Sequence, residues 1–371
     1  MSVGWTRTVR RLPSSVPFVG PEALERALRV DLTVRTGANE SVYGPSPRAV
    51  EAMQRTATES WMYGDPENHD LKRALSGKLG VPVEAIVVGE GIDGLLGYLV
   101  RLLVEPGDAV VTSDGAYPTF NYHAAGHGGV LHKVPYAGDH EDPGALVEKA
   151  RETGAKLVYL ANPDNPMGTW HHADAIEAMM EALPEGTVLC LDEAYGEFAP
   201  DSAVPPLEPL RANVVRMRTF SKAHGLAGLR VGYAITHPDT AAAFDKVRNH
   251  FGVTRIGQAA ALASLTDDEH LALVRTSVEA AKRRIGEIGG RNGFSAIPSA
   301  TNFQTLDTGE DGDFARALVA RLVELGVFIR MPFVAPQDRC IRISAGTVED
   351  LDVLERVLPE AIRTVRERKA A

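Results

Sequence analysis

The sequence predicts an α/β protein with a large domain, in which a mostly parallel sheet is flanked by helices, and a smaller α/β domain at the C-terminal end. Three observations predict it. From about residue 66 short apolar runs alternate with helical stretches, the pattern of strands buried on both faces. After about residue 240 the pattern changes to long amphipathic stretches such as "DDEHLALVRTSVEAAKRRIGEIGG", which carry the helical period. Finally, each unusual cluster of residues directly follows an apolar run, and open α/β sheets bind ligands outside the carboxyl ends of their strands.

In chain order, residues 1–45 are irregular and rich in Pro and Gly, and read as an arm lying on another part of the molecule. "AIVV" (85–88) is the first strand, followed by the Gly-rich "GEGIDG" and the apolar helix "LLGYLVRLL". "DAVVTS" (108–113), "KLVYLA" (156–161), "TVLCLD" (187–192), "NVVRMRTF" (213–220) and "RVGYAI" (230–235) are the later strands of the large domain, 46–245. Residues 246–371 supply a connecting helix, spanning roughly 240–290, and a small domain with strands near "VFIRM" and "CIRISA".

Composition narrows the function. The 371 residues carry 39 basic and 49 acidic side chains, a formal charge of −10, which argues against a phosphate-backbone binder. No apolar run approaches the roughly 20 residues of a membrane span. The start, "MSVGWTRTVRRLPSSVPF", has no apolar core after its basic residues and is not read as a secretory signal. Cys190 and Cys340 stand far apart with no CxxC, so a reduced, cytoplasmic protein is expected. His123, His127, His132, His171 and His172 match no metal-ligand spacing and read as solvated loop side chains.

The chemistry-bearing residues come strand by strand. "VVGEGIDGLL" turns from strand to helix through glycines, so the backbone at Gly91, Ile92 and Asp93 offers free N–H groups to a phosphate. It is not the GxGxxG of a dinucleotide site. Tyr117 in "SDGAYPTF" stands where an aromatic could stack on a planar ring, and proline gives Asn165 in "NPDNPMGT" a fixed direction. Asp192 ends a strand in "TVLCLDEAYGEF", with Tyr195 three residues on; a partly buried carboxylate needs a partner. In "RTFSKAHGLAGLRVGY", Lys222 lies among small residues that would desolvate its amine and favour the neutral form a Schiff base needs. Thr219 and Ser221 can donate to an anion, and Arg230 can fork onto a phosphate. A phosphate cradle, an anchoring arginine, a Schiff-base lysine and a buried carboxylate together describe pyridoxal 5′-phosphate.

With these residues in place the chain resembles the fold-type I aminotransferases of class I/II, and most of all the histidinol-phosphate aminotransferase family. The likeness runs through "LPSSVPFVGPE", "GANESVYGPSP", "YGDPENHDLKRAL", "GEGIDGLL", "NPDNPMGT", "LDEAYGEF", "TFSKAHGLAGLRVGY" and "IRISAGT". It implies that Lys222 carries the cofactor, Asp192 contacts its pyridine nitrogen, Tyr195 and Asn165 bond its phenolic oxygen and Tyr117 stacks on its ring. Gly91, Ile92, Asp93, Thr219, Ser221 and Arg230 would surround its phosphate. Arg342 would clamp the substrate carboxylate or phosphate, with Arg330 a second candidate, and Asn39 and Tyr43 would lie at the substrate side. Tyr63 would reach the phosphate held by a neighbouring subunit, which implies a homodimer. The sequence departs from the family at Ser41-Val42, Ile92, Met167 and His224, positions expected close to the pocket. The implied reaction is L-histidinol phosphate with 2-oxoglutarate; an aromatic or other amino-acid aminotransferase and a decarboxylase of a phosphorylated amino acid are the alternatives.

Overall fold

The computed structural model describes residues 4–13 and 19–370, so Ser14–Phe18 of the "LPSSVPFVGPE" motif lie outside the described residues. The N-terminal stretch, expected to be irregular, holds helices α1 (Arg7–Arg11) and α2 (Pro21–Leu28) and a short strand, β1 (Val34–Arg35). Pro21 presets the first turn of α2, and Arg35 then binds Glu22 and Glu25 on that helix. Next come α3 (Pro47–Thr56) and α4 (His69–Leu79). Ser46 caps α3 by accepting from the Ala49 N–H at 3.1 Å, with Pro47 in the first turn.

The large sheet is built from β2 (Ile86–Gly89), α5 (Gly91–Leu103), β3 (Ala109–Ser113), α6 (Pro118–His127), β4 (Val130–Val134), α7 (Pro143–Thr153), β5 (Leu157–Ala161), α8 (Ala173–Ala182), β6 (Val188–Asp192), β7 (Val214–Thr219) and β8 (Gly232–Ile235). Its seven strands run in the order β2-β8-β7-β6-β5-β3-β4. Strand β8 is antiparallel to both neighbours and every other pairing is parallel. Along β5 the side chains alternate between two cores: Leu157 and Tyr159 pack with α5 and α6, Val158 and Leu160 with α7 and α8. Strand β4 is absent from the sequence reading because His132 and Lys133 break its apolar run at an exposed sheet edge.

The single connecting helix expected over 240–290 is three helices, α9 (Pro238–Phe244), α10 (Arg255–Leu265) and α11 (Asp268–Arg291). Two new caps divide the span. Thr254 accepts from the Gly257 N–H at 3.0 Å and Asp267 from the His270 N–H at 3.3 Å. Then come β9 (Ser295–Ala296), β10 (Phe303–Asp307), α12 (Gly312–Glu324), β11 (Val327–Phe328), β12 (Cys340–Ser344) and α13 (Val348–Ala370). An antiparallel sheet, β12-β10-β9, forms a second core with α11, α12 and α13. "VFIRM" contributes only the short β11, continued by backbone bonds between Arg330 and Arg342.

Contacts cross both expected domain boundaries. Strand β1 pairs in parallel with β11, Val34 opposite Val327, tying the start of the chain to its C-terminal half. Helix α10 packs Ala260, Ala261 and Leu265 into the core that covers β2 and β8. Among the described residues no helix is long and apolar enough to cross a membrane.

His224 is buried in this part of the fold, bonded to Ser264 at 2.8 Å, and burial pulls its pKa down to about 4. The folded chain therefore holds the neutral ring, and stability falls as pH drops through the ordinary histidine range towards 4. His224→Phe should remove about 3 kcal/mol of that loss between pH 7 and pH 4, read as a flatter pH dependence of urea-unfolding midpoints. An unchanged slope would contradict it.

Candidate active site

The carboxyl ends of β2, β3, β5, β6 and β7 open into a cavity of about 450 Å³. Ile92 and Asp93 enter it after β2, Tyr117 after β3, Asn165 after β5, Asp192 and Tyr195 after β6, and Thr219, Ser221, Lys222 and Arg230 after β7. The other wall comes from the second half: Asn39 and Glu40 beyond β1, Arg330 beyond β11, and Arg342 on β12. Gly91 opens α5 behind the Arg230 guanidinium. Most of the expected residues thus converge.

Lys222 donates from Nζ to the main-chain oxygen of Asn39 at 3.1 Å and sits 5.8 Å above the Tyr195 ring. Burial pulls its pKa down to about 8, the Arg342 and Arg230 charges acting the same way against Glu40 and Asp192. The amine is therefore partly neutral near neutral pH. Asp192 is 5% exposed. Its Oδ1 accepts from the Ala194 N–H at 2.9 Å and its Oδ2 from the Tyr159 hydroxyl at 2.7 Å. Burial pushes its pKa up to about 6, and those two bonds hold it from going further, so the carboxylate is largely ionised at pH 7.

Asn39 organises the centre. Its backbone is left-handed, with φ of 56°, a strained conformation for a non-glycine residue. Its amide donates to the Tyr195 hydroxyl at 2.9 Å, its Oδ1 accepts from Ser344 at 2.8 Å, and its carbonyl is held at 3.0 Å by Asn302 as well as by Lys222. Burial raises the Tyr195 phenol well above its ordinary range and keeps it protonated. Asn302 and Ser344 carry no sequence signal, because only the docking of β1 on β11 brings the segment at 37–40 to them.

Beside the start of α5, Arg230 is also left-handed, with φ of 56°, and its Nη1 donates to Ala227 O at 3.0 Å and Ser221 Oγ at 3.4 Å. Asp93 bonds His123 at 2.7 Å, and that bond lowers the carboxyl pKa. On the other side, Arg342 donates to Gly37 O at 3.1 Å and to Asn165 Oδ1, and its guanidinium lies 5.1 Å from the Phe303 ring centroid. Its buried Nε finds no hydrogen-bond partner among the described residues, and burial brings its pKa down to about 10. Arg330 donates to Val19 O at 2.9 Å.

Several expectations need correcting. Tyr43 does not line the cavity: its hydroxyl donates to Ser277 O at 3.1 Å and Gly346 O at 3.2 Å, tying the loop to the second core. Tyr63, expected at a neighbouring subunit's phosphate, is not such a case: it lies outside the cavity of its own chain, 75% exposed and 4.7 Å from the Phe251 ring. Of the positions where the sequence departs from the family, only Ile92 lines the cavity. Met167 is packed against Ile297 and Cys340, and His224 against Phe220. The histidines are not all solvated: His123 pairs with Asp93, His171 Nε2 meets Glu141 O at 2.7 Å, and His132 lies in β4. Tyr159, read only as a strand residue, reaches the site.

This fold and site define an aminotransferase, and the chain belongs to the family of class I and II aminotransferases, whose model matches residues 33–358. Within that family it groups with the histidinol-phosphate aminotransferases. It is 37% identical over 346 residues to histidinol-phosphate aminotransferase 1 of Nitrosococcus oceani, covering 91% of this chain and 92% of that one. The crystal structure of the Sinorhizobium meliloti histidinol-phosphate aminotransferase in complex with pyridoxal-5′-phosphate is 53% identical, with a TM-score of 0.96 over 98% of this chain and 99% of that one. A Thermus thermophilus aspartate aminotransferase mutant shares the fold at 24% identity, with a TM-score of 0.80, covering 98% of this chain and all of that one.

The residues fit that cofactor. Gly91 has φ of 74°, and a Cβ there would run into the Arg230 guanidinium, so the absence of a side chain keeps the cradle open. Gly91→Ala should therefore weaken pyridoxal 5′-phosphate binding about tenfold or more, through backbone strain and displacement of Arg230. Spectrophotometric titration of the apoenzyme checks this, and wild-type affinity in the variant would refute it.

Proposed function

We propose that this aminotransferase takes L-histidinol phosphate as amino donor and 2-oxoglutarate as acceptor, giving imidazole acetol phosphate and L-glutamate. The observation that carries the reading is the pairing of Arg330 and Arg342. Their backbones are bridged by two hydrogen bonds, and both side chains line the cavity that holds Lys222. A carboxylate needs one guanidinium fork, whereas a phosphate dianion can engage two.

Bound in the cavity, pyridoxal 5′-phosphate supplies an aldehyde that captures the amine and a ring that withdraws electrons from the α-carbon. Arg230, Ser221 and the N–H groups opening α5 would hold its phosphate. Asp192 would face the ring nitrogen with its ionised carboxylate, and Tyr117 would cover the ring. Tyr195 and Asn165 would bond the phenolic oxygen, Tyr195 as the donor its protonated state allows. Lys222 Nζ would take the α-carbon proton and return it, which a pKa of about 8 suits. The Asn39 carbonyl gives the amine a fixed resting place.

The working unit we propose is a homodimer in which Tyr63 reaches the phosphate of the neighbouring subunit. Its exposure and the 3.0 Å bond from Arg255 to its carbonyl, which holds its backbone, support this. We also read the two sheets as separate domains that change over after α10 rather than at residue 245, because α10 shares the core of the large sheet.

A single-turnover experiment tests the substrate. Holoenzyme mixed with L-histidinol phosphate and no keto acid should form imidazole acetol phosphate in an amount equal to the enzyme. Arg342→Ala should raise the KM for that donor at least tenfold. Turnover confined to aromatic or other amino acids would replace the donor, and release of CO2 from a phosphorylated amino acid would replace the reaction.

A further inference from the structure

We propose that Tyr159 is a positioning residue that locks the Asp192 carboxylate in rotation and holds it towards the cavity in the form the cofactor's ring nitrogen requires. The proposal rests on the reading of Asp192 given above.

Register brings the two residues together. Tyr159 on β5 pairs with Cys190 on β6, and Asp192 pairs with Ala161, so Tyr159 and Asp192 are diagonal neighbours on one face. A tyrosine is long enough to cross that diagonal, and its hydroxyl lies 2.7 Å from Asp192 Oδ2. The ring is fully buried and stacked on Phe120, with centroids 4.7 Å apart and planes 20° from parallel. Packing therefore fixes the ring and leaves the hydroxyl one described hydrogen bond, to Asp192. Burial raises the phenol well above its ordinary range, so the hydroxyl acts as a donor throughout the working pH range.

The chemistry at Asp192 follows. Its Oδ1 is held by the Ala194 N–H and its Oδ2 by the Tyr159 hydroxyl. With one bond on each oxygen, rotation of the carboxylate would break both. An ionised carboxylate has about four lone-pair sites, so each oxygen keeps one for the ring N–H. A phenylalanine at 159 would fill the same space and leave Oδ2 without its donor. The carboxylate would then turn more freely and hold its own proton more tightly.

Tyr159→Phe isolates this effect because it keeps the stacked ring. In the apoenzyme, the Asp192 carboxyl titration, followed by NMR of 13C-labelled aspartate, should move up by about one pH unit. In the holoenzyme, kcat should fall about tenfold while the amino-donor KM stays within twofold and the melting temperature falls by no more than a few degrees. Glu141, Glu193 and Lys222 also act on Asp192 or Tyr159 and are the same in both proteins, so the shift reports the hydroxyl. An unmoved titration with kcat within twofold of wild type would overturn the proposal. Should Tyr159→Phe fail to fold, 3,5-difluorotyrosine incorporated at 159 is a stronger donor and should move the titration down; no movement would overturn it equally. Asp192→Asn separates the two readings. Full turnover in that variant removes the role of Asp192 and the proposal with it, whereas lost turnover there with none lost in Tyr159→Phe removes the proposal alone.

Discussion

Desolvation of two opposite charges at the carboxyl ends of β6 and β7 is the constraint from which the site follows. Asp192 is buried and Lys222 half-buried, yet neither has the other as a hydrogen-bond partner. Joined as a close ion pair, they would stabilise each other's charge and hold the amine protonated. Held apart, each finds neutral partners, a carbonyl for the amine and a hydroxyl and an N–H for the carboxylate. The amine is then partly neutral and the carboxylate largely ionised near neutral pH, with pKa values of about 8 and about 6. A nucleophile and an anion can thus coexist in one cavity.

The partners of Lys222 and Tyr195 come from a segment remote in sequence. Residues 37–40 reach the cavity only because β1 docks on β11 and Ser344 and Asn302 grip Asn39. The site is therefore assembled between two sheets, and its geometry depends on how they are joined. Thr36 is part of that joint, accepting at its carbonyl from Ser344 N at 2.8 Å and donating from its N–H to Phe328 O at 3.0 Å.

Local charge opposes the charge of the whole. The chain carries −10 overall, but Lys222, Arg230, Arg330 and Arg342 all face the cavity. Three carboxylates line it, Glu40, Asp93 and Asp192, one fewer than the cations, and Asp93 is engaged by His123 and Asp192 by Tyr159 and Ala194. An acidic protein thereby presents a basic pocket to phosphate-bearing molecules, and field focusing in a cleft strengthens the effect.

The sequence by itself determined the strands that end at the site and the residues that follow them, because both signals are local. Asp192, Lys222 and Arg230 announce themselves by charge in apolar or small-residue settings, and Gly91 by the strand-to-helix turn it must make. Tertiary structure alone decided the rest. Tyr159 reads as an ordinary strand aromatic until the register of β5 on β6 places its hydroxyl on Asp192. Asn302 and Ser344 are silent until β1 pairs with β11, and Tyr43 and Met167, close in sequence to site motifs, turn into packing instead. Local sequence fixes which side chains a strand or turn carries, but hydrogen-bond partners far apart along the chain are chosen only when the sheets form.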